Sequence, residues 1–136
     1  MEYIVANYRI RTSGNFSDLV ACGVRGFAPF VVNADPSQEA VLDLYTECNI
    51  EKSNFSNLTE LSSFGFEEEL AQCTLYRHQT GYLFEMVKGS EVHLFAKEDN
   101  SPRVESNYGL LPKVDVSLLR FGMWLVFGLC TVPLGA

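Results

Sequence analysis

Apolar and polar side chains alternate from the first residues of the chain. In MEYIVANYRIRT, Tyr3 and Val5 fall on one face of an extended segment and Ile4 and Ala6 on the other, which predicts a strand from about Glu2 to Arg11. Thr12-Ser13-Gly14-Asn15 breaks it. Ser17 caps a short helical turn over Asp18 to Cys22, ahead of Gly23 and Gly26. Pro29 holds Ala28 out of the helical region, so Phe27 to Val32 reads as an extended apolar segment, and Asp35-Pro36-Ser37-Gln38 as a turn. Leu42 and Leu44 alternate with Asp43 in the manner of a half-buried strand. From Asn49 to Ser63 polar residues dominate, and the expectation is a long mobile loop.

The clearest pattern follows. The runs ELAQCTLYR, YLFEMV, EVHLFAK and RVESNYG are separated by HQTG, KGS and EDNSP, compact groups of turn formers. This spacing predicts an antiparallel meander, with Gly81 and Gly89 at turn positions that need positive φ and Pro102 free to begin a strand. The expected fold class is α+β: an antiparallel meander of about five or six strands with a C-terminal apolar helix.

That helix is capped by Asp115 or Ser117, runs to about Thr131 within an apolar segment spanning 114–132, and is stopped by Pro133. Leu118, Leu119, Phe121, Met123, Trp124, Leu125, Val126, Phe127 and Leu129 point to every side of a 3.6-residue spiral. A helix apolar all round must be covered all round. The uncharged stretch after Arg120 is shorter than the roughly 20 residues of a membrane span. The chain's own sheet hides one face and leaves about four large side chains wet, which forfeits on the order of 5–10 kcal/mol. The remaining cover is a partner surface, and the expected interface residues are Leu118, Arg120, Phe121, Trp124, Leu125 and Phe127, with Trp124 as anchor and Arg120 snorkelling to the rim or pairing with a carboxylate.

At 136 residues the chain has the size of one domain, and its 47% hydrophobic content suits a globular core. Its net charge of −7, with ten Lys and Arg scattered along the chain, excludes a nucleic-acid backbone and disfavours an anionic membrane as partner. Cys22, Cys48, Cys73 and Cys130 form no Cys-x-x-Cys pair and the N-terminus lacks the pattern of a signal peptide, so a reduced, cytoplasmic setting is expected.

Candidate chemistry is thin. His78 and His93 read as surface histidines; adjacent strands would bring His93 near Cys73, but no spacing signature supports a metal. Glu67, Glu68 and Glu69 read as a solvated strand entry because successive strand residues point to opposite faces. Cys22 beside Arg25 is a small apolar filler rather than an activated thiol. Serines are abundant, yet neither histidine has an assigned carboxylate, so no Ser-His-Asp arrangement emerges. The expectation is no catalytic, cofactor-binding or metal-binding residue in this chain.

LLRFGMWLVFGLCTVPLGA, the segment from Leu118 onward, resembles the stretch that precedes the phosphate-binding loop in HPr kinase/phosphorylase-like proteins of Bacteroides-type bacteria. GYLFEM and the opening YRI also resemble the leader of those proteins; the likeness covers the chain loosely and is sharp from Leu118 to Pro133. The resemblance implies an N-terminal, non-catalytic region of a longer protein with a PEP-carboxykinase-like P-loop core that uses ATP and Mg to phosphorylate a serine on a protein or peptide. Its partners would then be that downstream kinase core, a second copy of itself, or the protein substrate, with the 49–63 loop contributing to recognition. No catalytic residue carries over, because the sequence contains no G-x-x-x-x-G-K-[S/T] loop to cradle a phosphate.

Overall fold

Turn chemistry and alternation set out most of the sheet. The computed structural model describes residues 2–5, 8–15, 40–67, 70–112 and 115–132. Eight described strands form one sheet: β1 (Glu2–Val5), β2 (Tyr8–Ser13), β3 (Leu42–Tyr45), β4 (Thr59–Phe66), β5 (Ala71–His78), β6 (Gly81–Lys88), β7 (Glu91–Glu98) and β8 (Arg103–Ser106). A helix, α1 (Val116–Thr131), packs on one face. The class is α+β.

From β5 to β8 the strands form the expected antiparallel meander, with Glu98 opposite Gly81 and Glu91 opposite Lys88, and β4 extends it by a strand that was not expected. Gly89 has φ +59, the conformation its turn requires, and Asn100 supplies φ +57 in the next one. Gly81 differs from expectation. It opens β6 without a positive φ, and glycine is needed because a Cβ would run into the carbonyl oxygen of Lys97.

The sheet is larger than the meander and is mixed. Its order is β1-β2-β3-β8-β7-β6-β5-β4, with β2 parallel to β3 and β3 parallel to β8. The N-terminal segment is a hairpin rather than one strand, since Val5 pairs with Tyr8 and Glu2 with Arg11. Alternation alone does not separate one long strand from two short ones. The polar stretch 49–63 is not a loop either. It holds a 3-10 turn at Lys52–Asn54 and the first five residues of β4, which belong to a strand because backbone pairing with β5 does not require apolar side chains. The helical turn expected at 18–22, the Phe27 to Val32 segment, the 35–38 turn, Glu68, Glu69 and Pro133 lie outside the described residues.

Ile10, Leu42, Leu44, Val104, Phe95, Phe84, Met86, Cys73 and Ala71 line one sheet face, from β2 to β5, and form a single core with Leu118, Leu119, Met123 and Val126 of α1. These four helix residues are at most 1% exposed. At about 1.5–3 kcal/mol for each fully buried large aliphatic side chain, they supply an amount comparable with the whole stability of a domain. The helix crosses from the β6–β7 turn, where Lys88 Nζ meets Asp115 Oδ2 at 2.8 Å, to β2, where the Phe127 ring lies 6.2 Å from Tyr8. On the other face, the segment after β3 carries Lys52 and Phe55 onto β5. Lys52 Nζ donates to Tyr76 Oη at 2.8 Å and Phe55 packs on His78 at 5.2 Å.

Candidate functional site

Three places in the fold gather polar or reactive groups. At the carboxyl ends of the parallel strands β2, β3 and β8, where open parallel sheets often bind ligands, the chain ties itself shut. The Thr46 hydroxyl shares its proton between the carbonyls of Ser13 (3.0 Å) and Asn15 (2.7 Å). Gly109 N–H donates to Thr46 O at 2.8 Å, and the Asn15 side-chain amide donates to Gly109 O at 3.1 Å. The Thr46 hydroxyl, the Gly109 N–H and the carbonyls of Thr46, Asn15 and Gly109 are engaged with one another, so the knot acts as a fastening between the strand ends.

The second place is the start of α1. Of the two expected caps, Asp115 and Ser117, it is Asp115 that caps the helix, accepting from Leu118 N–H at 3.2 Å, and it also pairs with Lys88. Burial pushes the Asp115 carboxyl up, but the Lys88 ammonium and the Leu118 amide outweigh it and hold the group below its ordinary value. Beneath this cap lies His93, 0% exposed, with Glu91 Oε2 at 3.5 Å from its Nε2 and no hydrogen bond at either ring nitrogen. Both histidines are buried, contrary to the surface placement expected; His78 sits under Phe55, with its Nδ1 accepting a 3.3 Å hydrogen bond from Thr80 N–H. Nor are His93 and Cys73 neighbours: both pair with Met86, which stands between them. Among the described residues, no group of three or more His, Cys, Asp or Glu is placed to hold a metal.

Desolvation lowers the His93 pKa, against the upward pull of Glu91 and Asp115 and with a smaller downward push from Lys88. The consequence for stability has a definite sign. The unfolded chain takes up a proton near the ordinary imidazole value of 6.5, whereas the folded chain resists until lower pH, so stability is full above 6.5 and declines as pH falls below it. Urea unfolding between pH 7 and 5 is expected to show that decline, with a slope of at most about 1.4 kcal/mol per pH unit from this group. In His93→Leu the slope over that range is expected to flatten; an unchanged slope shows that His93 is not the group responsible.

The three described thiols all have raised pKa values, whereas Cys22 and Arg25 lie outside the described residues. Burial raises the pKa of Cys73, and pushes that of Cys130 up to about 11. Burial and then Glu105 raise that of Cys48, which is half-buried.

The third place is the outer side of α1. Val116, Arg120, Trp124 and Val132 are exposed and lie four residues apart in sequence or eight, so they form one ridge along the helix and its C-cap, with Gly128 between the last two. Trp124 keeps 38% of its surface in solvent and sets its ring edge-on to Phe127 at 5.8 Å. The remaining expected interface residues sit elsewhere. Leu118 is 0% exposed and belongs to the chain's own core, so it does not face a partner. Phe121, Leu125 and Phe127 are half-buried against that core. Phe121 alone meets the rings of Phe64, Phe66 and Phe84, at 5.5, 5.8 and 5.9 Å. The expectation of about four wet side chains is therefore too high. An eight-stranded sheet has aromatic side chains at both flanks, Tyr8 on β2 and Phe64 and Phe66 on β4, and these wrap the sides of the helix that a narrower sheet leaves bare. Of the nine apolar helix residues singled out from the sequence, Trp124 alone is exposed.

No helix among the described residues is long and apolar enough to cross a membrane. No protein-family model matches the sequence, and no curated protein or solved structure matches the chain at a significant level.

Proposed function

We propose that this chain is a non-catalytic docking domain that meets another protein surface through the ridge Val116, Arg120, Trp124 and Val132. The observation that carries this reading is the concentration of exposed apolar side chains, with one cation among them, on the outward line of a helix whose inner line is fully committed to the core. Tryptophan and arginine are the residue types that most often anchor protein interfaces. The resemblance of Leu118 to Pro133 to the leader of HPr kinase/phosphorylase-like proteins supplies the partner: an ATP-binding kinase core on the same polypeptide, which this domain packs on or regulates. The chemistry that uses ATP and Mg belongs to that core.

Mass spectrometry of the protein from its native cells tests the leader reading directly. A species heavier than 15.2 kDa is expected, and one of 15.2 kDa, the mass of this chain, overturns it. In the longer protein, Arg120→Glu with Trp124→Glu is expected to change phosphotransfer at least several-fold.

A second reading, self-association, is favoured by one specific feature. Gly128 lies one turn beyond Trp124 on the ridge, and a Cβ placed there meets nothing within 4 Å. Two helices crossing about a two-fold axis seat each Trp124 over the other's Gly128. Light scattering of the isolated chain at micromolar concentration then gives twice the chain mass, and Gly128→Leu returns it to monomer. A monomer at every concentration removes this reading and leaves the leader reading standing.

A further inference from the structure

Among the described residues the sheet ends on β4, whose outer edge is open along eight residues. No described strand pairs with that edge, and the backbone of Thr59–Phe66 makes no hydrogen bond outside its ladder with β5. Sheets usually blunt such an edge with lysine, proline, bulges or a very short strand. β4 has one bulge, between Glu60 and Ser62, and neither lysine nor proline; beyond the bulge Ser62 to Phe66 is regular. The two sides of the edge differ chemically. On the α1 side Phe64 and Phe66 are half-buried and packed against Phe121, so an added strand would find an apolar floor there. On the other side stand Glu60 and Ser63. Exposed glutamates stand towards both ends of the strand, Glu60 and Glu67, and the cation that comes close on the Glu60 side, Lys52, is already engaged by Tyr76 Oη at 2.8 Å and Glu85 Oε1 at 3.8 Å.

We infer that β4 is a strand-addition site for an extended segment of another protein in which apolar residues alternate with lysine or arginine. Main-chain hydrogen bonds to the open edge hold the segment, its apolar side chains continue the Phe64, Phe66 and Phe121 floor, and its cations lie beside Glu60 and Glu67. Charge excludes the competing occupants. A second copy pairing edge to edge would bring its Glu60 and Glu67 towards the same two residues of the first, and a nucleic acid would be repelled by a chain of net charge −7. This site lies at the side of α1 away from its outer ridge and does not depend on which protein the ridge meets.

The probe is a blocked decapeptide alternating valine and lysine, with two comparison peptides: one with alternate backbone nitrogens methylated, and one with glutamate in place of lysine. Amide hydrogen exchange of the full chain is expected to show protection at alternate residues of Thr59–Phe66 on adding the first peptide. Fluorescence anisotropy is expected to show binding weakened at least about tenfold by backbone methylation and by the glutamate exchange. In Glu60→Lys with Glu67→Lys, both exposed positions, the preference is expected to invert, with the valine–glutamate peptide binding better. Absence of protection in β4 at millimolar peptide overturns the proposal. So does equal binding of the methylated peptide, which reduces the effect to charge attraction alone, and so does dimerisation of the chain through β4.

Discussion

Phe95→Ala is expected to destabilise the fold by about 3–5 kcal/mol, the usual cost of emptying a buried aromatic site. Phe95 is 1% exposed, and its ring fills the space between β7 and Gly122 of α1 while packing 5.9 Å from Tyr108. The contact with Gly122 makes the prediction sharper than a plain cavity. A Cβ at position 122 would lie 2.5 Å from Phe95 Cε2, 2.9 Å from Cζ and 3.1 Å from Met86 Cε, so Gly122→Ala forces helix and sheet apart at a cost of about 1–3 kcal/mol. That outweighs the gain of up to roughly 1 kcal/mol in helix propensity. At Gly128, where a Cβ meets nothing, the same substitution is expected to stabilise by roughly 0.5–1 kcal/mol. Removing the Phe95 ring makes room for the alanine at 122. The double variant is therefore expected to be more stable than the sum of the two single losses by at least about 1 kcal/mol. Urea unfolding followed by Trp124 fluorescence and by circular dichroism checks all four proteins. Additive losses at 95 and 122 contradict direct contact between them.

Gly109→Ala is expected to cost about 3 kcal/mol, through a different mechanism. Here a Cβ would approach backbone rather than a side chain: Thr46 O at 2.5 Å and Asn15 O at 2.9 Å. Those carbonyls are themselves held, since Thr46 O accepts from Gly109 N–H and Asn15 O accepts from the Thr46 hydroxyl. The substitution therefore breaks the fastening that joins the ends of β2, β3 and β8, adding lost hydrogen bonds of about 0.5–1.5 kcal/mol each to the steric cost. Hydrogen exchange distinguishes this from a uniform loss: amides of β2 and β3 are expected to lose protection before those of β5 to β7. A variant that melts as a single unit with wild-type ordering of protection contradicts a local role for the knot.

The legible parts of this protein are those whose signals act within a few residues. Gly89 and Asn100 needed a left-handed backbone, apolar residues at every second position needed one buried face, and Asp115 needed only the amide of Leu118 three residues on. The ridge of α1 was half legible. Spacing identified an all-apolar helix, but which of Leu118 and Trp124 turns inward depends on what lies beneath, and 0% against 38% exposure was settled by Phe95, Met86 and the flanking aromatics. Sequence reasoning missed β4 altogether, because an edge strand whose first five side chains are all exposed carries no hydrophobic period. The signal that was available is the pair of phenylalanines, Phe64 and Phe66, two apart at its end.

The amino-acid order by itself determined the meander from β5 to β8, the capped helix that follows, and a net charge of −7, since each rests on local backbone preference or on summed charge. The tertiary structure alone decided that β2 and β3 join the meander in parallel beside β8, that His93 is sealed under the helix, and that most of an all-apolar helix is sheltered by its own domain. Those outcomes depend on contacts between residues dozens of positions apart, whose burial is shared among partners that no short stretch of sequence contains.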